Sequence, residues 1–206
     1  PDEGCSYDET ESIDLSKLEP LMACPNQPDN VHPVSELPTT PVQQVFIGSC
    51  TNGSYGDIAK AALVLKGRHV NDNVSCVCGV ATRQTYKQLL RDGYIEMLLD
   101  AGVRFLEISC GPCCGIGQTP ATNGVAVRTS NRNFAGRSGN PTAKLYLASP
   151  ETAAATAVKG SFATAAEIMG DDVVLLDSIH EPARYPIDDS MLLPPLPPEE
   201  AAKVEI

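Results

Sequence analysis

Between residues 43 and 160 the apolar positions switch repeatedly between two periods. Short apolar runs at 43–48, 74–80, 103–109, 124–129 and 144–148 read as strands. Longer stretches between them repeat at helical spacing. Over about 55–66 the apolar positions are Ala59, Ala62, Leu63 and Leu65, and over about 84–101 they are Tyr86, Leu89, Leu90, Tyr94, Met97 and Leu98. A further helix is predicted from Pro150, a residue suited to a first turn, to Val158. This alternation predicts one α/β domain over 42–176, a mostly parallel sheet with helices on both faces in three α/β/α layers. The loops at 49–53, 81–83, 109–118 and 130–137 each follow a strand. Ligands of open α/β sheets bind beyond the carboxyl ends of the strands, so these loops are expected along one edge.

The flanks are different. Residues 1–41 show little periodicity beyond a short strand predicted within Ile13–Pro20. Pro25, Pro28, Pro33, Pro38 and Pro41 forbid a long helix there, which leaves an ordered, extended connector packed over the domain. Residues 177–206 hold Pro182, Pro186, Pro194, Pro195, Pro197 and Pro198, the composition of a semi-rigid linker. Val204-Glu-Ile206 reads as the opening of another strand. The chain begins Pro-Asp-Glu-Gly without an initiator methionine, which fits a piece of a longer protein.

Chemistry concentrates where two strands end. Val103–Ile108 runs into Cys110-Gly-Pro-Cys113-Cys114, and Gln44–Ile47 runs into Gly48-Ser-Cys50-Thr-Asn52-Gly53. Paired cysteines two residues apart at a strand end can hold a metal, hold a cluster or exchange a disulfide. Three thiolates converging from neighbouring strands suggest an iron–sulfur cluster with three protein ligands, Cys50, Cys110 and Cys113. A thioredoxin-like thiol–disulfide oxidoreductase also uses Cys-Gly-Pro-Cys, but its motif opens a long helix. Here Cys-Gly-Ile-Gly-Gln-Thr-Pro follows, which is poor helix material. A structural metal-binding module built on zinc calls for four ligands from paired motifs, and one Cys-x-x-Cys is present. Cys76 and Cys78 share one face of a strand and read as core thiols. Cys5 and Cys24 lie in the connector, Cys114 reads as a packing residue, and His32, His69 and His180 lack partner spacing.

The net charge of −11 conceals an asymmetry. Acidic residues crowd the first forty and last thirty-six positions, while 41–170 holds twelve bases against eight acids. A basic centre suits a small anionic substrate. Without tryptophan or a basic stripe interleaved with aromatics, nucleic acid is not indicated. No apolar run is long enough to span a membrane, and the opening residues do not form a signal peptide. Eight cysteines could indicate a secreted disulfide scaffold, but the α/β pattern and three strand-end cysteines favour a reducing cytoplasm or matrix.

Three segments carry a resemblance. Ile47-Gly-Ser-Cys-Thr-Asn-Gly53, Cys110-Gly-Pro-Cys113 and Thr129-Ser-Asn-Arg-Asn-Phe-Ala-Gly-Arg137 resemble, in order and spacing, the signature segments of the aconitase family. That family includes aconitate hydratases and the large subunits of isopropylmalate dehydratase and homoaconitase. The likeness covers roughly 12–176 and corresponds to the family's third domain. It implies a [4Fe-4S] cluster on Cys50, Cys110 and Cys113, with Asn52 and Asn131 supporting it. Arg132 and Arg137 would grip carboxylates of a di- or tricarboxylate substrate. It implies reversible loss and addition of water, a hydro-lyase activity. The remaining domains of the enzyme would supply the catalytic acids and bases, so this chain alone is expected to be inactive, and its cluster can be absent in isolation. The proline-rich tail resembles the linker to a swivelling fourth domain, which ranks aconitate hydratase of the tricarboxylic acid cycle first. The alternative is an isopropylmalate or homoaconitate dehydratase large subunit, towards which the first forty residues and Thr82-Arg83 lean. Arg83 is a secondary site candidate.

Overall fold

A computed structural model describes residues 2–187, 189–190 and 192–203. The elements run β1 (Leu21–Ala23), β2 (Val31–Pro33), β3 (Gln44–Gly48), α1 (Ser49–Asn52), α2 (Tyr55–Leu65), β4 (Ser75–Gly79), α3 (Arg83–Arg91), α4 (Tyr94–Asp100), β5 (Arg104–Phe105), β6 (Val125–Arg128), β7 (Lys144–Leu147), α5 (Pro150–Lys159), α6 (Ala165–Met169) and α7 (Pro198–Ala201). Short 3₁₀ segments sit at Leu15–Lys17, Val34–Glu36, Gly111–Cys114 and Gly170–Ser178. The fold is α/β, as the periodicity predicts. Its seven-stranded sheet, in the order β2-β1-β7-β6-β3-β4-β5, is parallel from β7 to β5 and antiparallel at β1 and β2. With its helices it is consistent with the three-layer α/β/α class.

The helices start where side chains satisfy their free amide groups. Ser54 and Asp57 form a capping box on α2, as Thr164 and Glu167 do on α6. Thr82 caps α3 and Ser149 caps α5, which carries Pro150 in its first turn. The stretch predicted as one helix over 84–101 is two. Gly93 sits in the left-handed region at φ 83° between α3 and α4 and breaks the helical hydrogen bonding. The strand predicted over 103–109 is reduced to Arg104–Phe105. After Leu106, whose amide donates to Cys78 O, the chain leaves the sheet edge and turns into the cysteine loop. The strand predicted within 13–20 is a 3₁₀ turn, Leu15–Lys17. Residues 21–33 instead form a hairpin that extends the sheet beyond β7. Val204–Ile206, expected to open a strand, lie outside the described residues.

Strand alternation separates two faces. Val45, Ile47, Cys76, Cys78 and Val127 join one large core with α2, α4, α5 and α6. Phe46 and Val77 face the other way and pack with Cys113 and Leu106 from the loop after β5. The second layer is therefore thin and made largely of the cysteine loop. Topology accounts for this. The chain steps from β3 to β4 to β5 through helices, then crosses back past β3 to β6 and on to β7. Right-handed crossovers in opposite directions must use opposite faces. The winding reverses between neighbouring strands β3 and β6, which makes their carboxyl ends the crevice of the sheet.

Gly48 closes β3 at φ 111° and ψ −129°, and a Cβ there would stand 2.0 Å from Gly79 O. Both backbone conformation and space demand glycine. Gly48→Ala is expected to cost at least about 2 kcal/mol of stability. An unchanged urea midpoint would show that β3 and β4 part at no cost.

The tail continues along the helical side. Glu181 accepts a hydrogen bond from the Gly56 amide at the start of α2 (3.0 Å) and pairs with Tyr185, whose ring meets Tyr55 edge-on. No helix among the described residues is long and apolar enough to cross a membrane.

Candidate metal centre

The ends of β3 and β6 are bolted together at the crevice. Thr129 Oγ1 accepts from the Gly48 amide (2.7 Å) and donates to Gly48 O (2.9 Å). Asn52 Nδ2 donates to Thr129 O at 2.5 Å, so this amide ties the α1 turn to the end of β6. Ser49, the first residue of α1, has φ 80°, a strained conformation for a serine. It turns the chain so that Cys50 comes out exposed on the carboxyl edge.

Cys50 and Cys110, sixty residues apart, share one cleft of about 210 Å³ with Ser49, Val80, Ala81, Ile108 and Ser109. A wider hollow of about 600 Å³, lined by Arg83, Tyr86, Leu106, Glu107 and Ile108, adjoins it through Ile108. Cys113 is set deeper, 4% exposed, in the 3₁₀ turn Gly111–Cys114. Arg137 holds it twice, Nη1 donating to Cys113 O (2.8 Å) and Nη2 to Cys113 Sγ (3.0 Å). The Ser138 hydroxyl donates to the same carbonyl at 3.3 Å. Arg132 and Asn131 are exposed beside the crevice, and their one mutual contact is Arg132 Nη1 donating to Asn131 Oδ1 at 3.4 Å. Arg132 is thus free to meet a ligand, whereas Arg137 is committed to the loop.

The cysteine loop is braced by residues that sequence reading passed over. Arg128, at the end of β6, is fully buried and donates to Pro112 O, Gln118 O (3.2 Å) and Gln44 Oε1, with its guanidinium 5.9 Å from the Phe46 ring centre. Burial draws its pKa down to about 10, against a lift from the Cys113 thiol, so it remains charged at neutral pH. Arg104 donates to Gly117 O (3.3 Å) and to the Gln118 side chain, which in turn donates to Ser75 Oγ at 2.8 Å. One signal was available: in Val125-Ala-Val-Arg128, period two puts Arg128 on the same inward face as Ala126.

Asn133 clamps a second loop. Nearly fully buried, it donates from Nδ2 to Cys24 O (2.6 Å) and Gln27 O (3.3 Å), fastening the β1–β2 turn beneath the Asn/Arg segment. Asn133→Ala would leave two carbonyls without this donor. It is expected to cost about 1–3 kcal/mol. A denaturation midpoint equal to the parent's would show that the turn does not lean on Asn133.

The chemistry this arrangement allows is restricted. Among the described residues no three His, Cys, Asp or Glu converge on a single metal ion. Soft thiols with two neighbouring arginines and no carboxylate in their loops would fit a negatively charged, thiolate-ligated centre. Cys110-Gly-Pro-Cys113 opens no helix. Its single 3₁₀ turn ends at Gly115, in the left-handed region at φ 91°, so the helix N-terminus that activates a thioredoxin thiol is lacking. Burial pushes the Cys76 thiol up to about 12 and Cys78 still higher, which keeps both as core thiols. Cys114 is exposed and its thiol donates to Gly111 O.

Comparison with known proteins agrees with this geometry. The profile of the Aconitase family (aconitate hydratase) matches residues 36–160. The chain is 47% identical over 165 residues to the 3-isopropylmalate dehydratase large subunit of a Sulfurihydrogenibium species, covering 80% of this chain and 37% of that protein. It is 45% identical over 169 residues to 3-isopropylmalate dehydratase large subunit 2 of Archaeoglobus fulgidus, covering 82% and 41%. It is 48% identical over 151 residues to the probable 3-isopropylmalate dehydratase large subunit of Methanothermobacter thermautotrophicus, covering 72% and 36%. The chain spans about two fifths of the length of these relatives. With its three signature loops gathered along one sheet edge, it belongs to the aconitase family.

Proposed function

We propose that this chain is the cluster-binding part of a hydro-lyase acting on an isopropylmalate-type substrate, and that Cys50, Cys110 and Cys113 hold a [4Fe-4S] cluster. The observation that carries the reading is the meeting of Cys50 and Cys110 in one cleft over the carboxyl ends of β3, β4 and β5, with Cys113 in the adjoining turn. Three thiolate ligands would leave one iron of such a cluster open, to supply Lewis-acid chemistry at a substrate hydroxyl and carboxylate. The protein's own residues do the rest. Arg132 offers a planar fork to a substrate carboxylate. Arg137 positions Cys113, and its charge lies close enough to the crevice to favour an anionic substrate. Asn52 stiffens the crevice floor through Thr129, and Asn131 stands at its rim as a polar support for the cluster.

Sequence reading ranked aconitate hydratase first, but the names of the relatives favour the alternative, a 3-isopropylmalate dehydratase large subunit. On this reading the partners are the rest of the enzyme's polypeptide and a second, smaller subunit. Residues 177–206 serve as a linker, and the setting is the cytoplasm. The test is hydration and dehydration by the longer protein carrying this chain, assembled with a small subunit and loaded with iron and sulfide. Turnover of 3-isopropylmalate at least about tenfold above that of citrate, a difference of roughly 1.4 kcal/mol, is expected. A preference for citrate would restore the aconitate hydratase reading. Inactivity on both hydroxy acids with a full cluster would reject both.

A further inference from the structure

Arg128 is the least explained charge in the molecule. A fully buried arginine is rare unless paired, and leaving one uncompensated costs several kcal/mol. Among the described residues no carboxylate lies within ion-pair distance of it, and its Nε is buried without a partner. Its hydrogen bonds go to neutral oxygens, two of them backbone carbonyls of the cysteine loop on either side of Cys113. Arg137, whose Nη2 donates to Cys113 Sγ, brings a second cation to the same loop. Two cations at one loop repel each other and favour an anionic occupant there.

We propose that Arg128 is a positioning residue for the metal-binding loop, its fork fixing Pro112 and Gln118 on either side of Cys113 and its buried charge balanced by the anionic cluster that the loop would hold. The proposal rests on the cluster reading above, but one arm of its test needs no cluster. In metal-free protein, Arg128→Met removes the fork while filling its space. Proteolytic cleavage within 106–124 is expected to speed up at least about tenfold, while the global urea midpoint holds or rises. Cleavage at the parent rate would overturn the positioning role. In protein reconstituted with iron and sulfide, the Met variant is expected to release iron faster and to show a more negative reduction potential, since net charge near a cluster sets its potential. Arg128→Lys is expected to restore the potential but not the loop protection. A potential unchanged in the Met variant would overturn the charge role. If the Met variant does not fold, the Lys variant decides: faster cleavage at the parent's potential supports the proposal, and cleavage at the parent rate overturns it. Failure of the parent itself to take up iron would reject the cluster reading, and the cleavage arm would still judge the loop.

Discussion

Cys113→Ala should hold less than about a tenth of the iron that the parent holds after anaerobic reconstitution, since loss of even supporting groups lowers metal affinity roughly 10–100-fold and a ligand matters more. Cys113 is the member of the trio with a fixed place. Its amide donates to Cys110 O (2.8 Å), and Arg137 and Ser138 hold its carbonyl. Alanine keeps all three of these backbone bonds and removes only sulfur. The variant should therefore fold, with a modest loss from the contact to Phe46 and Val77. The control is Cys114→Ala, one residue on, whose exposed thiol donates to the Gly111 carbonyl of its own turn. It should retain the parent's iron. Equal iron in parent and Cys113→Ala, or loss in Cys114→Ala alone, would assign the ligands differently.

Arg132→Met in the complete enzyme should lower kcat/KM by about 10²–10³-fold. Two charge-assisted hydrogen bonds to a substrate carboxylate are worth roughly 3–4 kcal/mol together, and each 1.36 kcal/mol is tenfold in rate. The expectation applies to Arg132 and not to Arg137 because of where their forks lie. Among the described residues Arg132 hydrogen-bonds to its neighbour Asn131, whereas both terminal nitrogens of Arg137 are taken by Cys113. Arg137→Met should instead act first on iron retention. Iron content measured beside kcat/KM separates the two. A low-iron Arg132 variant, or a fully loaded but slow Arg137 variant, would exchange their roles.

The placement of the site-bearing loops on one edge was legible because each interrupts an apolar run with glycine, proline or asparagine. The five central strands could be read for the same reason, as buried parallel strands are apolar on both faces. Other features left little trace in the sequence. β1 and β2 are three residues each, too short to establish a period, and pairing with each other, and of β1 with β7, makes them strands. The break at Gly93 was masked by apolar positions that stay in phase across it, from Leu89 and Leu90 to Tyr94 and Met97. Arg128 was hidden because its role depends on carbonyls 10 and 16 residues away in sequence, which become neighbours only when β5 returns across the sheet to β6. The commitment of Arg137 to Cys113 is likewise a tertiary fact that the motif does not contain.

The thin layer over Phe46 and Val77 has a consequence for how the domain comes apart. The helical side draws on most of the buried apolar surface, while the side bearing Cys113 is held by a few hydrogen bonds from Arg104, Arg128 and Arg137. Segments with few apolar contacts open sub-globally well below the free energy of whole-domain unfolding. Amide hydrogens of Cys113, Gly115 and Ile116 should therefore exchange through a local melting event that leaves β3, β4 and α2 protected. Such opening would let the sheet lose the cysteine loop and regain it without refolding, a renewable attachment on a scaffold that outlasts it.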